Sequence, residues 1–198
     1  SKGIYDLAVL KAIRTIPRHV FFDEALLKYA YQDNAFPIGE GQTISQPYTV
    51  ALQTQLLEIL PGDKVLEIGS GSGYQSSVLL ELDATLYTIE RQYKLYQKAK
   101  QFLTSFGYKN FNCFYDDGSK GLEKHSPYDK IIVTAGAPTI PNILIHQLKI
   151  GGKLVIPVGN KENQIMIRIT RIDEKNIIQD SFGTCSFVPL IGENGWNE

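Results

Sequence analysis

Residues 64–75 read Lys-Val-Leu-Glu-Ile-Gly-Ser-Gly-Ser-Gly-Tyr-Gln, an apolar run that ends in an acidic residue and continues into three alternating glycines. The next residues, through Leu82, predict a helix. A strand, a glycine turn and a helix in this order are typical of a nucleoside-binding corner. Glycine permits the sharp turn and lets the backbone approach a ligand that a Cβ would exclude. We therefore predict a cofactor site here, with contacts from Glu67, Gly69 and Gly71.

The spacing of the glycines separates two classes of cofactor. A dinucleotide-binding turn has its third glycine three residues after the second, but here that position is Tyr74 and the third glycine is Gly73. Glu67, just before the glycines, suits a cation or an amino group. S-adenosylmethionine, a nucleoside with a sulfonium and an amino acid tail, fits this pattern better than NAD. A nicotinamide enzyme therefore ranks last among the alternatives.

Further acidic residues follow the next two predicted strands. Glu90 ends the apolar run of residues 84–89, where a carboxylate accepts hydrogen bonds from both hydroxyls of a ribose. Asp117 and Gly118 follow the third strand, where the carboxylate would accept from the adenine amine and the amide would meet a ring nitrogen. An Asp-Gly pair is also a common turn dipeptide, so a simple turn is the alternative there.

The chain from Asp63 onward alternates strands with helices. The predicted strands are residues 64–68, 85–89, 111–115, 129–134 and 152–158, with two longer strands in residues 164–190 joined near 173–176. The predicted helices between them are residues 74–82, 92–106 and 139–148. Such alternation predicts an α/β fold with a doubly wound, mostly parallel Rossmann-like sheet of about seven strands.

The N-terminal part predicts helices instead of strands. One is expected around residue 10, a second over residues 25–31 with Asp23 as its cap, and a third from Pro47. The apolar residues expected on one face are Leu7, Leu10 and Ile13 in the first helix, and Val50, Leu57 and Leu60 in the third. Residues 36–46 show no periodicity and predict an irregular segment. We expect one domain, residues 1–198, with a helical substrate-side cap at 1–62 and a core at 63–198.

Composition narrows the possible partners. The chain has 198 residues, 43% of them hydrophobic, and a net charge of −1, which gives no basic stripe for nucleic acid. No apolar run reaches the roughly 20 residues of a membrane span, and no signal peptide is visible. Cys113 and Cys185 read as small hydrophobes, and the histidines lack ligand spacing. We expect a cytoplasmic protein that binds no metal, nucleic acid or membrane, with a monomer favoured.

The residues after the fourth predicted strand indicate the acceptor chemistry. Many enzymes that methylate nucleobase amines carry an Asn/Asp-Pro-Pro-aromatic run there, whereas residues 134–138 of this chain read Thr-Ala-Gly-Ala-Pro. These residues offer no side-chain base, so a carboxylate, already ionised at pH 7, is the acceptor that fits. Ser45 and Thr43 could position such a group or could cap the helix at Pro47. From chemistry alone the two roles of Ser45 are equally supported.

Several motifs together resemble the protein-L-isoaspartate O-methyltransferase family. They are Pro-Arg-His at residues 17–19, Gly-Glu-Gly-Gln-Thr-Ile-Ser-Gln-Pro-Tyr at 39–48, the glycine motif at 64–75, Val-Thr-Ala-Gly-Ala-Pro at 133–138, and residues 151–159. The resemblance covers nearly the whole chain. The Thr-Ile-Ser-Gln-Pro run is specific to the family, whereas methyltransferases at large share the glycine motif.

The resemblance implies both an activity and a set of site residues. The activity would be transfer of a methyl group from S-adenosylmethionine to the α-carboxylate of L-isoaspartyl residues in damaged proteins and peptides, which starts repair through a succinimide. Ser45 would be the active-site serine, and Thr43 would also contact the cofactor. Ile44, Gln46 and Val188 would contact the isoaspartyl substrate.

One residue departs from the family pattern, and two other functions stay open. Asp116 stands where the family usually has glycine, which would cost energy if that position needs a positive φ. The alternative functions are a small-molecule carboxyl or hydroxyl methyltransferase and a non-catalytic S-adenosylmethionine-binding module that recognises damaged peptides.

Overall fold

Strands and helices alternate from residue 63 onward in the computed structural model of the protein, which describes residues 3–197. The helices are α1 (Leu7–Thr15), α2 (Pro47–Leu57), α3 (Tyr74–Glu81), α4 (Tyr93–Ser105) and α5 (Asn142–His146). The strands are β1 (Phe36–Gly39), β2 (Gln42–Ile44), β3 (Lys64–Ile68), β4 (Thr85–Glu90), β5 (Phe111–Tyr115), β6 (Tyr128–Val133), β7 (Leu148–Gly159), β8 (Gln164–Arg171) and β9 (Ile177–Cys185). Short 3-10 turns lie at Arg18–Phe21, Glu24–Tyr29, Gly118–Lys120 and Glu123–His125.

The central sheet has seven strands in the order β5-β4-β3-β6-β7-β8-β9. The first five of these are parallel, and β8 and β9 extend the sheet in antiparallel pairing. The strand order reverses between β3 and β6, and ligands of such sheets bind beyond the carboxyl ends of the strands at this switch point. The predicted doubly wound, mostly parallel sheet is confirmed.

The strands at the switch point are buried on both faces. Val65 and Leu66 of β3 and Ile131 and Ile132 of β6 are fully buried, as expected where helices cover both sides of a parallel sheet. Leu66 and Ile131 pack in the cluster that includes α5, and Val65 and Ile132 pack against α2, α3 and α4. Dense packing on both sides fixes where the two strands end.

The segment over residues 36–46 is a β-hairpin, so the prediction of an irregular segment was wrong. β1 and β2 pair antiparallel, with Phe36 opposite Ile44. The two residues of the turn, Glu40 and Gly41, have φ values of 52° and 67°, which is the left-handed geometry of a tight two-residue hairpin. Glutamate seldom adopts that geometry, and strands of four and three residues are too short to show a period.

Two predicted N-terminal helices differ from the observed elements. Residues 25–31 do not form an α-helix, because Glu24–Tyr29 is a 3-10 turn and Asp23 makes no side-chain capping bond. α2 ends at Leu57 because Glu58 is left-handed, with φ of 53°. Leu60 is therefore outside the helix and 64% exposed, so its predicted place on the buried face was wrong.

The predictions for α1 and α5 also need correction. Val9 and Ala12 form the buried face of α1, whereas Leu7 is 80% exposed, because the face that carries Ala12 packs against the hairpin and α3. α5 covers only Asn142–His146 instead of residues 139–148, because β7 already pairs with β6 from Leu148.

Within residues 3–197, no helix has the length and apolar character needed to cross a bilayer.

Cys113 and Cys185 are half-buried free thiols. Burial raises the pKa of Cys113 to about 12 and that of Cys185 to about 11. Both stay protonated at neutral pH and pack as small hydrophobes.

Candidate active site

A cleft of about 870 Å³, partly open to solvent, lies at the switch point of the sheet. Three segments form its walls: the glycine turn after β3, the end of the β1–β2 hairpin, and the chain after β9. The lining residues from these segments and from neighbouring loops include Gln42–Ser45, Gly69–Ser72, Gly118, Thr134–Ala135 and Val188–Ile191. Its place at the switch point and its mixed polar and apolar lining are typical of a ligand site in such a sheet.

The glycine turn is held closely against the end of β6. Gly69 has φ of 96°, and a Cβ at this position would lie 2.4 Å from the Thr134 hydroxyl. That hydroxyl approaches the backbone carbonyl oxygens of Ile68 at 2.9 Å and Gly69 at 2.6 Å. Only glycine fits between the strand end and this threonine, so the turn is fixed from both sides.

The carboxylate of Glu90 lies at the cleft wall, at the tip of β4. It is 6% exposed, and its two oxygens accept hydrogen bonds from the amides of Gly71 at 2.9 Å and Gln92 at 2.8 Å. A carboxylate accepts about four hydrogen bonds, so both oxygens retain lone pairs that point away from these amides. Glu90 is therefore braced by the backbone and still able to accept from a pair of ligand hydroxyls.

Glu67 lies beneath the turn instead of in the cleft lining. It is fully buried, and its Oε2 accepts hydrogen bonds from Ser76 at 2.5 Å and Thr88 at 2.7 Å. Its Oε1 is buried without a hydrogen-bond partner among residues 3–197. Burial raises the pKa of Glu67 to about 7, and the nearby charge of Glu90 adds to the rise. The hydrogen bonds from Ser76 and Thr88 act in the opposite direction.

The loop after β5 places Gly118 in the lining and Asp117 just outside it. A Cβ on Gly118 would lie 2.6 Å from a methyl carbon of Ile68, so only glycine fits this close packing of the loop against β3. The Asp117 carboxylate accepts from the amides of Ser119 and Glu193, each at 2.9 Å. Burial alone would raise the pKa of Asp117, but these bonds outweigh it and hold the pKa below its usual value. Asp116 does not have a positive φ, so aspartate in place of the family's usual glycine carries no backbone strain at this position.

Ser45 lies in the cleft lining, and its hydroxyl does not cap a helix. The N-cap of α2 is Gln46, and no side chain makes a capping bond there. Ser45 follows β2 directly and lines the cleft. Within residues 3–197 its Oγ has no hydrogen-bond partner, whereas its backbone carbonyl accepts from Arg18 at 2.8 Å. The capping interpretation is therefore wrong, and the hydroxyl is available to a ligand.

The sequence profile of the Protein-L-isoaspartate(D-aspartate) O-methyltransferase family matches residues 1–195. The chain belongs to this family. A protein of Cytophaga hutchinsonii named protein-L-isoaspartate O-methyltransferase is 58% identical over 197 residues, which cover 100% of this chain and 89% of that protein. A Geobacter metallireducens protein of the same name is 48% identical, with 99% and 91% coverage.

Solved structures agree with the family assignment. One described as protein-L-isoaspartate O-methyltransferase superposes with a TM-score of 0.85 at 29% identity, covering 97% of this chain and 63% of the other. A Plasmodium falciparum structure of the same description, in complex with S-adenosyl-L-homocysteine, has a TM-score of 0.82 at 27% identity, covering 96% of this chain and 93% of that one. S-adenosylmethionine is thus the cofactor of the family, as the glycine spacing predicts.

The structure brings most of the predicted site residues to one cleft. Those in its lining are Thr43, Ile44, Ser45, Gly69, Gly71, Glu90, Gly118 and Val188. Glu67, Gln46 and Asp117 lie directly behind lining residues, so a direct ligand contact by their side chains stays a prediction. Glu67 points away from the cleft because it faces Thr88 on the neighbouring strand and Ser76 on the helix above.

Among the lining residues that the sequence did not predict are Gln53, Tyr74, Gln75 and Arg91. The two glutamines are almost fully buried, Gln53 at 1% and Gln75 at 7% exposure. Their amide nitrogens donate to the Val133 carbonyl and to the Thr54 hydroxyl, respectively. The buried residues of α2 and α3 include several other polar side chains, so the sequence pattern gave no signal that singles these two out.

No group of three or more His, Cys, Asp or Glu side chains that could hold a metal ion occurs within residues 3–197.

We expect Glu67 to make the stability of the cofactor-free protein fall with rising pH. Its pKa is about 7 in the folded protein, above its ordinary value of 4.5, so the folded state binds the proton more tightly than the unfolded state. The stabilisation is complete below about pH 4.5 and is lost as the pH rises to about 7, by on the order of 3 kcal/mol.

The measurement is the free energy of unfolding against pH for the natural protein and for Glu67→Gln. The free energy of unfolding of the variant minus that of the natural protein should rise between pH 4.5 and 7 and then stay constant. The exposed Glu81→Gln variant is the control and should give curves parallel to those of the natural protein. Parallel curves for Glu67→Gln would show that Glu67 ionises normally.

Proposed function

We propose that this member of the family methylates the α-carboxylate of L-isoaspartyl residues in proteins and peptides, with Ser45 holding the acceptor. The observation that carries this proposal is that Ser45 lines the same cleft as the glycine turn and that its hydroxyl makes no capping bond to α2. In this arrangement one wall binds the cofactor and the other presents a hydroxyl, but no base, to the acceptor.

The cofactor wall fits the chemistry of S-adenosylmethionine. When bound, S-adenosylmethionine supplies a methyl group on a positively charged sulfur. Glu90, braced by the amides of Gly71 and Gln92, would accept from the ribose hydroxyls. The Gly118 backbone, which is in the cleft lining, would meet the adenine edge. Glu67, whose unpartnered buried oxygen lies beneath the turn, would carry negative charge there when a bound cation lowers its pKa.

The acceptor wall consists of Thr43, Ile44 and Ser45 on one side and residues 188–191 on the other. Val188 and Leu190 are fixed because they bond the backbone of Gly136, through the Val188 carbonyl and the Leu190 amide, each at 2.8 Å. A peptide with a free α-carboxylate would lie between these two segments. The Ser45 hydroxyl would donate to the carboxylate and orient one oxygen toward the methyl group.

The reaction then needs positioning more than proton transfer. The acidic or basic side chains in the lining are those of Glu90 and Arg91, and Glu90 is committed to the cofactor end. A carboxylate is ionised at pH 7, so it can attack without a base. Holding nucleophile, methyl carbon and leaving sulfur in line supplies on the order of 7–11 kcal/mol of the barrier. The backbone amide nitrogen of the peptide can then attack the ester carbonyl and expel methoxide, which leaves as methanol, and this closes the succinimide.

Further parts of the proposal concern organisation and partners. We propose that residues 1–62, which carry Ser45, serve as the substrate-side cap of a single domain. Isoaspartyl proteins and peptides are then the partners, and we propose a monomer without nucleic-acid or membrane ligands. A cytoplasmic location is supported by the two free thiols, Cys113 and Cys185, since oxidising compartments favour disulfides.

Glu90→Ala should weaken binding of S-adenosylhomocysteine by about 3 kcal/mol or more, because two hydrogen bonds to a charged acceptor are lost at roughly 1.5–3 kcal/mol each. Titration calorimetry measures the affinity. Glu81→Ala, which removes an exposed carboxylate on α3, is the matched control and should bind normally. Unchanged affinity of Glu90→Ala would remove Glu90 from the cofactor site.

Ser45→Ala should reduce turnover by about tenfold to more than a hundredfold, because one orienting bond to a charged group is worth roughly 1.5–3 kcal/mol. The melting temperature and the affinity for S-adenosylhomocysteine should stay close to those of the natural protein, since the hydroxyl supports neither the helix nor the cofactor wall. Turnover, melting temperature and affinity are measured on the same preparation. A variant with lower stability and normal turnover would contradict the acceptor-holding role.

The direct test of the proposed function compares two peptides of one sequence, one with L-isoaspartate and one with L-aspartate. The free carboxylate of isoaspartate is attached directly to Cα, whereas that of aspartate lies one methylene further out. A misplacement of about 1 Å costs on the order of a hundredfold, so we expect the isoaspartyl peptide to react at least that much faster.

Initial rates of methyl ester formation at equal cofactor concentration decide the outcome. Equal rates for both peptides would contradict the substrate assignment. Methylation of neither peptide, together with normal cofactor binding, would favour the small-molecule methyltransferase or the non-catalytic binding module.

A further inference from the structure

Arg18 is a charged side chain buried almost completely next to the acceptor wall. Arg18 is 2% exposed, and its side chain is among the largest fully buried ones within residues 3–197. A buried guanidinium needs compensation by hydrogen bonds or charge, because its transfer out of water is costly. The partners that provide this compensation show what Arg18 holds in place.

Two carbonyl oxygens and two aromatic rings surround the guanidinium. Nε donates to the Ala30 carbonyl at 2.9 Å, and Nη2 donates to the Ser45 carbonyl at 2.8 Å. The guanidinium carbon lies 4.7 Å from the ring centre of Tyr74 and 5.4 Å from that of Phe22. Burial lowers the pKa of Arg18, while Tyr74 and Asp33 act in the opposite direction.

These contacts connect the two walls of the cleft. Ser45 belongs to the acceptor wall, and Tyr74 is the first residue of α3, directly after the glycine turn. Arg18 therefore joins the segment that presents the hydroxyl to the segment that follows the cofactor turn. A planar guanidinium can donate in two directions and stack at the same time, which a lysine ammonium cannot do.

Ser45 depends on this contact because little else fixes its orientation. Ile44 before it is anchored in the core at 3% exposure, and α2 begins at Pro47 after it. The peptide unit between Ser45 and Gln46 has its carbonyl held by Arg18 alone among the hydrogen bonds within residues 3–197. Fixing that carbonyl restrains the backbone of Ser45 and so the placement of the Cβ from which its hydroxyl extends.

We infer that Arg18 is a positioning residue of the methyl-transfer reaction, which sets the Ser45 hydroxyl relative to the cofactor turn through the Ser45 carbonyl. This inference rests on the acceptor-holding role proposed above for Ser45. Arg18 itself touches neither acceptor nor cofactor. Its loss should therefore lower turnover while leaving the affinity for S-adenosylhomocysteine intact.

The test is a double-mutant cycle on the full chain with Arg18→Lys, Ser45→Ala and the double variant. The readouts are kcat and KM for an isoaspartyl peptide and the affinity for S-adenosylhomocysteine. We expect Arg18→Lys alone to lower kcat by about tenfold to a hundredfold, with cofactor affinity within about twofold. In the Ser45→Ala background the same change should cost less than about twofold, since the hydroxyl it positions is absent.

Arg171→Lys is the matched control. Arg171 is also buried, at 8% exposure, and also donates to backbone carbonyls, those of His146, Leu148 and Asp173, but these lie outside the cleft lining. Arg171→Lys should lower the melting temperature and leave kcat unchanged. If Arg18→Lys does not fold, Phe22→Leu loosens the same guanidinium from one side and should show a smaller kcat loss with the same coupling to Ser45→Ala.

The outcomes separate the two proposals. Equal loss of kcat on replacing Arg18 in both backgrounds, or a loss of stability with normal kcat, would overturn the inference. Normal turnover of Ser45→Ala alone would instead overturn the role of Ser45 on which the inference rests. Weaker cofactor binding in Arg18→Lys would place Arg18 in support of the glycine turn and would likewise overturn the inference.

Discussion

The contact between Gly69 and Thr134 is the constraint on which the site depends. Thr134 follows β6, Gly69 follows β3, and the threonine hydroxyl occupies the space that a Cβ on Gly69 would need. The two strands can end side by side only because one of them ends in glycine at positive φ. This contact places the turn, the Gly71 amide that braces Glu90, and the first turn of α3 in fixed relation to the sheet.

The proposed acceptor wall is built from segments that lie outside the central sheet and are anchored in the core through Ile44 and Leu190. The β1–β2 hairpin and the chain after β9 reach the cleft from outside the sheet, and a few specific bonds fix them. Arg18 holds the Ser45 carbonyl, and Gly136 holds Val188 and Leu190. Rigid binding of the cofactor together with a precisely tied acceptor wall is what an in-line displacement requires. The division of labour also explains why single bonds in this wall should matter more for turnover than for folding.

The sequence predicted the sheet well because buried parallel strands such as β3 and β6 are short continuous apolar runs. It failed for β1 and β2, because Glu40 adopts a positive φ in the turn and glutamate is not a residue from which a sequence pattern predicts that geometry. It also could not give the direction of Glu67. Alternate residues of a strand point to opposite faces, and only the pairing with β4 and the packing of α3 put that side chain beside Thr88 and Ser76.

Most of the predicted site residues line one cleft because the place of that cleft follows from the topology of the sheet. The hydrogen bond between Arg18 and the Ser45 carbonyl, in contrast, joins residues far apart in the chain. Motif resemblance marked both residues but gave no reason for Arg18, whose role depends on a three-dimensional contact.

The most direct measurement is a crystal structure of the full chain with S-adenosylhomocysteine and an isoaspartyl peptide. The account predicts that the α-carboxylate lies within about 3.2 Å of the Ser45 hydroxyl, that one of its oxygens faces the cofactor sulfur, and that Glu90 accepts from the ribose. A carboxylate bound away from Ser45, with another side chain between it and the sulfur, would contradict the account.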